Sequence, residues 1–396
     1  MNVCFCAHRL PYPPLAGGKR ETFKLAEGLG AAGHTVDLVT YCDDESLAAE
    51  MEAEADCRIH TVPGLPDRTP ANLLRNVVSP DPLPIMKADR PEFRETIRAQ
   101  ARDADVVHLH ALQTSFLADD DSLDAPTVIR FNNVKYEIYR QFARFTDNPA
   151  KAAYAYLQYY KTKGYERSIP AESDLSLAIT PEDRERLLAD GLTADVDVLP
   201  AGVDPSEFDV LAHDTDSSVV TFFGSMDYHP NEDAVLWFVE QVLPLIRNHR
   251  SDVTFEVVGK NPSDAVRALD DRDDVTVTGF VDDLGEHVAR AAVVVLPIRV
   301  GTGIRMKALH AMAMGKPLVS TPLGVQGIAV RDGQHASLAG ENAPSEFASA
   351  VLQLLQNPEK QMQYRTAARE LVERDHDWST ITTSLEDFYE RVVDDV

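Results

Sequence analysis

Positive charge is scarce in this chain of 396 residues, which carries 38 Lys and Arg side chains against 64 Asp and Glu. Nonspecific binding to nucleic acid depends on Lys and Arg that displace counterions from phosphates, so the formal net charge of −26 argues against nucleic-acid partners. Hydrophobic residues make up 44% of the chain, which argues against wholesale disorder. The length predicts two domains of about 150–200 residues each.

Lysine is the rarer of the two cations, with 11 Lys against 27 Arg. An acidic, lysine-poor surface is expected of a protein from a cytosol that holds molar salt, where the Debye length falls to about 3 Å and self-repulsion is screened. An ordinary acidic protein from a genome of high GC content would show a similar bias. The composition favours the halophilic interpretation, and with it a haloarchaeal source.

Cysteines are few and long apolar runs are missing. All four cysteines lie within the first 57 residues, and they form no CxxC pair or Cys/His ligand spacing, so neither a zinc site nor a disulfide framework is indicated. The apolar run Ala291–Pro297 is too short to span a bilayer. The start of the sequence, Met1–Phe5, has no signal-peptide pattern. We therefore expect a cytoplasmic protein, at most peripheral at the inner face of the membrane.

Short β-branched runs alternate with longer amphipathic stretches, which indicates an α/β fold with parallel, doubly wound sheets. Several of the runs are apolar on consecutive residues, as strands buried on both faces should be. The predicted strands are Val3–Ala7, Val36–Tyr41, Ile59–Val62, Val106–His110, Thr127–Arg130, Leu175–Ile179, Val219–Phe223, Val253–Gly259, Val275–Gly279, Ala292–Pro297 and Leu318–Thr321. Helices are predicted at Glu21–Gly30, Pro181–Leu188, Asn231–Ile246, Arg305–Met314 and Ser379–Val393.

A polar, turn-rich stretch near Asp204–Ser218 separates two series of strands. Each series opens with a strand, a glycine-containing loop and a helix. This pattern predicts two Rossmann-like domains that face each other across a cleft, residues 1–204 with 379–396 and residues 205–378, the last helix crossing back to the first domain. Ligands of open α/β sheets bind beyond the carboxyl ends of the strands, so the cleft between the domains is the expected site.

Two glycine-containing loops stand before helices, whose N-termini attract anions. The first loop contains Gly17 and Gly18, which let backbone N–H groups approach a ligand closely; a plain β-to-α turn would look the same. The second contains Gly301 and Gly303 and leads into a helix whose first turn holds Arg305 and Lys307. Two cations beside a glycine loop in so acidic a chain favour a phosphate site over a solvated helix end.

Further segments complete a characteristic order along the chain. They are Pro13–Gly18, Leu29–Val36, Asp105–His110, Leu199–Asp204, Phe223–Asn231, Gly301–Gly303 with Met314–Pro317, Gly324–Ile328 and Asp332–Gly333. In this order and spacing they resemble the retaining glycosyltransferases of the GT-B fold, in the GT4 family of glycosyl transferases group 1. The resemblance covers nearly the whole chain and is nearest to the sugar-transferase branch associated with exopolysaccharide and protein-sorting clusters.

The resemblance implies a role for several residues. His110 would face the reacting sugar, and Arg305 and Lys307 would neutralise the leaving nucleoside diphosphate, the main task when the sugar–phosphate bond breaks. No metal or other cofactor is implied, because the runs Asp119–Asp121 and Asp282–Asp283 lie in polar loops. The full set of implied donor-binding residues is Gly17, Gly18, Gly224, Ser225, Gly303, Arg305, Lys307 and His310.

The chain departs from its relatives at the expected donor site. Many relatives carry two glutamates eight positions apart, where this chain has Thr302 and His310. An imidazole can bond to ribose hydroxyls or, when protonated, pair with phosphate. The Arg and Lys usually found after the second domain's first strand are replaced by a segment that begins at Asp227. Arg305 and Lys307 are the cations expected to compensate.

The stretch Arg130–Arg167 is locally basic, with eight Lys or Arg, three acids and ten aromatic residues. Relatives have a His-Asn-Val-Glu-like element where this chain reads Asn132-Asn-Val-Lys135. One interpretation is an acceptor-binding or membrane-surface face that engages a lipid phosphate, with Asn133 and Tyr136 on the acceptor side. The other is a helical hairpin packed through its aromatics, with solvated basic faces.

Together these features predict a glycosyltransferase that moves a sugar from a nucleotide sugar to a glycan or lipid-linked acceptor in surface polysaccharide or glycoprotein synthesis. Because one fold hosts several reactions, a nucleotide-sugar 2-epimerase is an alternative, and a product formed without acceptor would reveal it. A non-catalytic relative that binds nucleotide sugar is a second alternative, which the residue at position 310 motivates.

The charge composition yields a test of the halophilic interpretation. We expect fold and activity to depend on high salt, because screening relieves the self-repulsion of a chain at −26. Both are measured in concentrated KCl and in dilute buffer. A protein that keeps its fold and activity in dilute buffer would contradict the interpretation.

Overall fold

The computed structural model describes residues 1–14, 17–65, 69–146, 148–188, 193–208, 216–301 and 303–395. The chain forms two compact units, Met1–Ala201 with Trp378–Val396, and Gly202–Asp377. The predicted divisions lie after residues 204 and 378, whereas the structure has them after residues 201 and 377. The final helix therefore belongs to the first unit.

All the strands pair in parallel. The first unit holds β1 (Asn2–Ala7), β2 (Thr35–Tyr41), β3 (Arg58–Val62), β4 (Val106–His110), β5 (Thr127–Phe131), β6 (Leu175–Ala178) and β7 (Val196–Val198). The second holds β8 (Asp216–Phe223), β9 (Thr254–Val258), β10 (Val275–Gly279), β11 (Ala291–Leu296), β12 (Leu318–Ser320) and β13 (Ser337–Leu338).

The two sheets have the same topology. Their orders are β3-β2-β1-β4-β5-β6-β7 and β10-β9-β8-β11-β12-β13. In each, the chain winds outward in one direction from the first strand and then in the other, which leaves a switch point between β1 and β4 and between β8 and β11. The prediction of two Rossmann-like α/β domains is confirmed.

Helices connect the strands. In chain order they are α1 (Gly17–Ala31), α2 (Glu45–Ala55), α3 (Pro70–Val78), α4 (Leu83–Ala88), α5 (Pro91–Ala101), α6 (Lys135–Phe145), α7 (Pro149–Ser168), α8 (Pro181–Leu187), α9 (His229–Trp237), α10 (Leu243–Arg247), α11 (Asp264–Arg267), α12 (Leu284–Arg290), α13 (Met306–Ala313), α14 (Pro344–Gln356), α15 (Pro358–Asp375) and α16 (Trp378–Asp394). Short 3₁₀ segments occur at Leu112–Leu117, Ile169–Ala171, Pro205–Glu207, Ala268–Asp271 and Pro322–Val325, and a π-helical segment, Phe238–Val242, joins α9 to α10.

Every predicted strand is present, with ends that differ by at most three residues. The structure adds β7 and β13, which are only three and two residues long. The helix predicted over residues 231–246 is interrupted by the π-helical segment. Among the described residues, no helix is both long and apolar enough to cross a membrane.

Helix α16 completes the core of the first unit. Its buried residues Leu385 and Tyr389 join the cluster that contains Phe5 of β1. A Cβ added at Gly28 of α1 would overlap the Thr382 side chain of α16, so glycine at this position permits the close approach of the two helices.

A buried ion pair fixes the start of α1 to the sheet. Arg130 of β5 is fully buried, and its Nη2 donates to Glu21 Oε1 at 2.7 Å. The same guanidinium donates to the backbone oxygens of Ala178, Leu199 and Pro200. Because a buried charge is stable only when paired and hydrogen-bonded, these partners hold α1, β5 and β6 together at one edge of the sheet.

The stretch from residue 130 to 167 forms a strand end and the α6–α7 hairpin. The residue before α6 provides no side-chain cap. Instead, the Glu166 carboxylate of α7 accepts hydrogen bonds from the backbone N–H groups of Lys135 and Tyr136, at 2.8 and 3.0 Å. These bonds satisfy two of the donors that a helix N-terminus leaves open and set the position of the first turn of α6.

The hypothesis that this whole stretch offers basic side chains to a phosphate is wrong for Arg130, whose charge is buried against Glu21. The aromatic residues of this stretch also include both buried and exposed members. Phe131 and Tyr136 belong to the core, whereas Phe142 and Tyr160 are 52% and 70% exposed. The hairpin thus has both packed and exposed aromatic residues.

The ion pair yields a prediction about stability. Arg130→Met should lower the free energy of unfolding of the first unit by about 3–5 kcal/mol, because it leaves the Glu21 carboxylate buried without its cation. The two tryptophans lie one in each unit. In a Trp237→Phe background, the fluorescence of Trp378 during urea unfolding therefore reports the first unit alone.

The matched control is Arg267→Met, which removes an exposed ion pair with Asp264. That change should leave the urea midpoint of the first unit unaltered. An equally small effect of Arg130→Met would contradict the structural role given to the buried pair.

Candidate functional site

The predicted donor-binding residues of the second unit gather at the carboxyl ends of β8 and β11. Gly224 and Ser225 follow β8 directly, and the loop of residues 297–305 follows β11. These strands flank the switch point of the sheet, the place where ligands of doubly wound sheets bind.

Lys307 extends from the first turn of α13 to the end of β8. Its Nζ donates a hydrogen bond to Asn231 Oδ1 and lies 4.5 Å from the centre of the Phe222 ring. A Cβ added at Gly224 would come within 2.6 Å of this Nζ, and Gly224 has φ +151°. The backbone conformation therefore favours glycine here, and any larger residue would displace the ammonium group of Lys307.

The environment of Lys307 lowers the pKa of its ammonium group. Burial, and secondly the charge of Arg305, lower its pKa from the usual 10.5 to about 7. An anion bound at the end of β8 would oppose both effects and raise this pKa again. The group is thus suited to gain its charge when a phosphate arrives.

Asn231 connects Lys307 to the loop after β8. It is almost fully buried, and its Nδ2 donates to the backbone oxygen of Ser225 at 2.7 Å. Ser225 Oγ in turn donates to Asp227 Oδ1 at 2.6 Å, and this bond is the main reason why the pKa of Asp227 is lowered. Sequence reasoning missed Asn231 as a site residue, although it is the last residue of the Phe223–Asn231 segment.

Arg305 immediately precedes α13 and is 7% exposed. The loop before it needs glycine twice, since Gly301 has φ +126° and Gly303 has φ +75°. A Cβ added at Gly301 would also overlap the Arg305 guanidinium. The glycines therefore shape the loop around the second cation of the site. Thr302 lies outside the described residues.

His310 lies one turn beyond Lys307 on α13. Its ring is half-buried, with its centre 5.8 Å from that of Phe208. The structure thus places four of the predicted residues, Gly224, Ser225, Arg305 and Lys307, around the end of β8, and His310 farther along the helix.

In the first unit, Gly17 and Gly18 are the first two residues of α1. Both are exposed, and a Cβ added at either would meet no described atom within 4 Å. Packing against the described residues therefore does not demand glycine at either position. Glu21, one turn later, is held by Arg130, so the start of α1 has a fixed position.

His110 ends β4 and is almost fully buried. A line of close polar contacts runs through it: Tyr389 Oη to His108 Nδ1 at 2.7 Å, His108 Nε2 to His110 Nδ1 at 3.4 Å, and Asn132 Nδ2 to His110 Nε2 at 3.0 Å. Both rings stack on Phe5. The imidazole of His110 is therefore held in one orientation by its neighbours.

Both histidines are neutral at physiological pH. Burial, together with the charge of Arg130, lowers the pKa of His108 to about 3, and burial is also the main cause that lowers the pKa of His110. His110 can thus take part in hydrogen bonds at the sheet edge but carries no positive charge there. Tyr389, which no sequence motif indicated, is brought to this line by α16.

The two predicted acceptor-side residues lie at the start of α6. Asn133 is half-buried, and Tyr136 is 5% exposed within the core. The Tyr136 hydroxyl donates to the backbone oxygen of Arg186 at 3.4 Å, so its ring is held inside the unit. Across the described ranges, no group of three or more His, Cys, Asp or Glu residues has the arrangement of a metal site.

The pKa of Lys307 yields a prediction that needs no ligand. Trace labelling with acetic anhydride, read peptide by peptide over pH 5–11, should show half-titration of Lys307 near pH 7, because burial disfavours its charged form. Arg305→Gln should move this midpoint upward, since it removes the second cause. Lys260→Gln, at an exposed position, is the control and should leave the midpoint unchanged. Titration of Lys307 near pH 10.5 in the unmodified protein would contradict the structure.

Each of the two units matches a family model. Residues 16–202 match the model described as a glycosyl transferase 4-like domain, and residues 217–357 match the model described as glycosyl transferases group 1. Among curated proteins, an uncharacterized 44.6 kDa protein in the cps region of Klebsiella pneumoniae is 21% identical, over 95% of this chain and 96% of its own length.

Solved structures show the same fold. Sucrose-phosphate synthase from Thermosynechococcus elongatus has a TM-score of 0.71 at 17% identity and covers 100% of both chains. Anabaena HepE, solved in complex with UDP-glucose, has a TM-score of 0.65 at 14% identity and covers 99% of this chain and 100% of its own. The family matches and this fold agree: the chain belongs to the group 1 glycosyltransferases, enzymes of the GT-B fold.

Proposed function

We propose that this glycosyltransferase moves a sugar from a nucleotide-sugar donor to a glycan or lipid-linked acceptor, with retention of the anomeric configuration, in surface polysaccharide or glycoprotein synthesis. The observation that carries the proposal is the position of Lys307 Nζ beside Gly224 at the end of β8. Its contacts there are with neutral groups, the Asn231 amide oxygen and the Phe222 ring. The cation thus lies at the end of β8 with no carboxylate among these contacts.

Two of the comparisons support this proposal. Anabaena HepE shares the fold and was solved with UDP-glucose, which is a nucleotide sugar. The relative of similar length is named for a cps region. Together with the geometry at Gly224, these findings favour a nucleoside diphosphate as the ligand of the second unit.

On the donor side, the loop at Gly224 and Ser225 and the loop at Gly303 would contact the diphosphate through backbone N–H groups. Lys307 and Arg305 would neutralise its charge as it leaves. These cations are fixed before the reaction starts, so they need not reorganise during it, which is the basis of electrostatic catalysis. His310 would contact the ribose from α13.

In the reaction, the bond between the anomeric carbon and the diphosphate oxygen breaks, and its electron pair leaves with the nucleoside diphosphate. The acceptor oxygen bonds to the same face of the carbon, and its proton passes to the leaving phosphate oxygen. Gly17 and Gly18 would offer backbone N–H groups to the phosphates. His110 would accept a hydrogen bond from a sugar hydroxyl at Nε2, in exchange for the Asn132 amide.

Metal independence and peripheral membrane contact are part of the proposal. Arg305 and Lys307 supply the positive charge that a divalent cation would otherwise give to a leaving diphosphate. Membrane contact would use the exposed aromatic residues of the α6–α7 hairpin, within residues 130–167, where Phe142 and Tyr160 reach solvent. Tyrosine and phenylalanine beside Lys and Arg are typical of surfaces that lie on anionic membranes.

The proposed function is tested with a panel of nucleotide sugars in concentrated KCl, with and without a membrane extract as the source of acceptor. Release of nucleoside diphosphate is measured. Lys307→Met should lower kcat/KM by about 100-fold or more, because one fixed charge on the leaving group is lost. Lys260→Met, which removes an exposed lysine of the same unit, should leave kcat/KM unchanged.

Each alternative predicts a different outcome. A product that forms fully without acceptor would indicate the epimerase, and binding without turnover would indicate the non-catalytic relative, in which His310→Glu should restore turnover. Loss of activity in EDTA would contradict metal independence. The anomeric coupling constant of the product, read by NMR against that of the donor, decides whether configuration is retained.

A further inference from the structure

A line of hydrogen bonds joins the last helix of the first unit to the carboxyl edge of its sheet. Tyr389 of α16 stands at one end and Asn132, the residue after β5, at the other, with His108 and His110 of β4 between them. Tyr389 and His108 are fully buried, and His110 is 2% exposed. Because polar atoms in such positions bond within the protein, the groups of this line depend on one another for their partners.

Each neutral imidazole in the line has one nitrogen that donates a hydrogen bond and one that accepts. Both histidines are neutral, since burial is the main cause that lowers the pKa of each. A neutral ring that accepts on one side must therefore donate on the other. Only two arrangements satisfy every bond of the line, and the groups at its two ends decide between them.

Asn132 determines the direction of the bonds at the sheet edge. Its Nδ2 lies 3.0 Å from His110 Nε2, and an amide nitrogen can only donate. His110 Nε2 is therefore an acceptor, so the ring carries its proton on Nδ1 and donates to His108 Nε2 at 3.4 Å. For the same reason His108 carries its proton on Nδ1 and donates to Tyr389 Oη at 2.7 Å.

The reverse orientation of the Asn132 amide is less favourable. Its Oδ1 is buried and accepts no hydrogen bond from the described residues. Exchanging the two ends of the amide would put an NH2 group at this place, with two donors that lack an acceptor instead of one acceptor that lacks a donor. Buried donors without a partner are rarer in proteins than acceptors without one. The contacts therefore favour the arrangement in which His110 Nε2 accepts.

Tyr389 provides the acceptor at the other end of the line. Among the described residues, its hydroxyl oxygen is the one hydrogen-bond partner of His108 Nδ1. Without this hydroxyl, the Nδ1 proton of His108 would be buried with no acceptor, which disfavours that tautomer. The other tautomer donates from Nε2 to His110 Nδ1 and so moves the proton of His110 to its Nε2. The hydroxyl on α16 thus governs which nitrogen of His110 holds a proton.

We infer that Tyr389 is a positioning residue of the reaction: through His108 it holds His110 in the tautomer whose Nε2 accepts a hydrogen bond from the transferred sugar. This inference rests on the proposed function, in which His110 contacts that sugar. The sugar becomes electron-poor as the electron pair of the broken bond leaves with the diphosphate. A hydroxyl that donates to His110 keeps electron density on its oxygen and favours this state, whereas a hydroxyl that accepts from an Nε2–H group loses density.

The tautomers are read by heteronuclear NMR of the ring nitrogens, in histidine-labelled protein without substrate. In the unmodified protein, His110 should carry its proton on Nδ1, and its signals are assigned by their loss in His110→Gln. In Tyr389→Phe, the proton should move to Nε2, because the terminal acceptor is lost. Tyr41→Phe is the matched control, since it removes another buried hydroxyl of the same unit, one that donates to the backbone oxygen of Ala88 at 2.8 Å. That variant should leave the His110 tautomer unchanged.

Asn132→Asp tests the line from its other end and keeps the tyrosine. A carboxylate can only accept, so the proton of His110 should again move to Nε2, with His108 donating to His110 and Tyr389 donating to His108. A His110 that keeps its Nδ1 proton in both variants would overturn the inference. An Nε2 proton on His110 in the unmodified protein would overturn it as well.

Turnover separates a positioning role from a purely structural one. Tyr389→Phe should lower kcat by about tenfold or more and leave the KM for the nucleotide sugar nearly unchanged, because the tautomer matters most when charge develops. Tyr41→Phe should keep both constants. Trp378 fluorescence during urea unfolding shows whether Tyr389→Phe folds, and Asn132→Asp supplies both readouts if it does not. A shifted tautomer with an unaltered kcat would overturn the positioning role.

The two proposals fail separately. The tautomers are measured without substrate, so they test the line of hydrogen bonds whatever the protein transfers. No release of nucleoside diphosphate by the unmodified protein, with any donor in the panel, would count against the proposed function. Turnover by the unmodified protein, matched by Tyr389→Phe in both tautomer and kcat, would count against this inference alone.

Discussion

The buried guanidinium of Arg130 is the constraint on which the first unit depends. A cation without access to water must find a partner for its charge and for its N–H groups, and Arg130 does so through Glu21 and three backbone oxygens. Those oxygens belong to β6 and to the segment after β7, so the carboxyl edge of the sheet and the start of α1 are held by one side chain. Burial, and secondly the charge of Arg130, lower the pKa of His108 to about 3. Arg130 therefore contributes both to the rigidity of the edge and to the protonation state of His108.

The central cation of the second unit, Lys307, has partners of a different kind from those of Arg130. Arg130 is neutralised by a carboxylate, whereas Lys307 contacts an amide oxygen and an aromatic face. A carboxylate beside Lys307 would stabilise its charge permanently and compete with any phosphate for it. Neutral partners hold the side chain in place without neutralising its charge, which can then interact with an anionic ligand. The two units share a sheet topology, but the central cations of their switch points have partners of different charge.

A structural feature can be predicted from the sequence when the residues that form it are close together along the chain. The long buried strands carry their own apolar pattern, and all of them were predicted; β7 and β13 are too short to have a pattern. The glycine loops and the cations after β11 can be proposed as a site from the sequence because they are neighbours along the chain. Burial of Arg130 is not predictable from its neighbours because its partner is 109 positions away, and Tyr389 carries no signal because it lies 281 positions from His108. Charge counting along a chain does not show which cations the fold has already paired.

The order of synthesis determines when α16 can pack against the rest of the first unit. The first unit is built from residues 1–201 and 378–396, with the whole second unit between them in sequence. During synthesis, Leu385 and Tyr389 leave the ribosome only after the second unit has been made, so the core around β1 stays open on one side until then. Domains generally fold as units while the chain is being synthesised. Here the continuous second unit can complete its fold first, and the unit that begins the chain is the last to close.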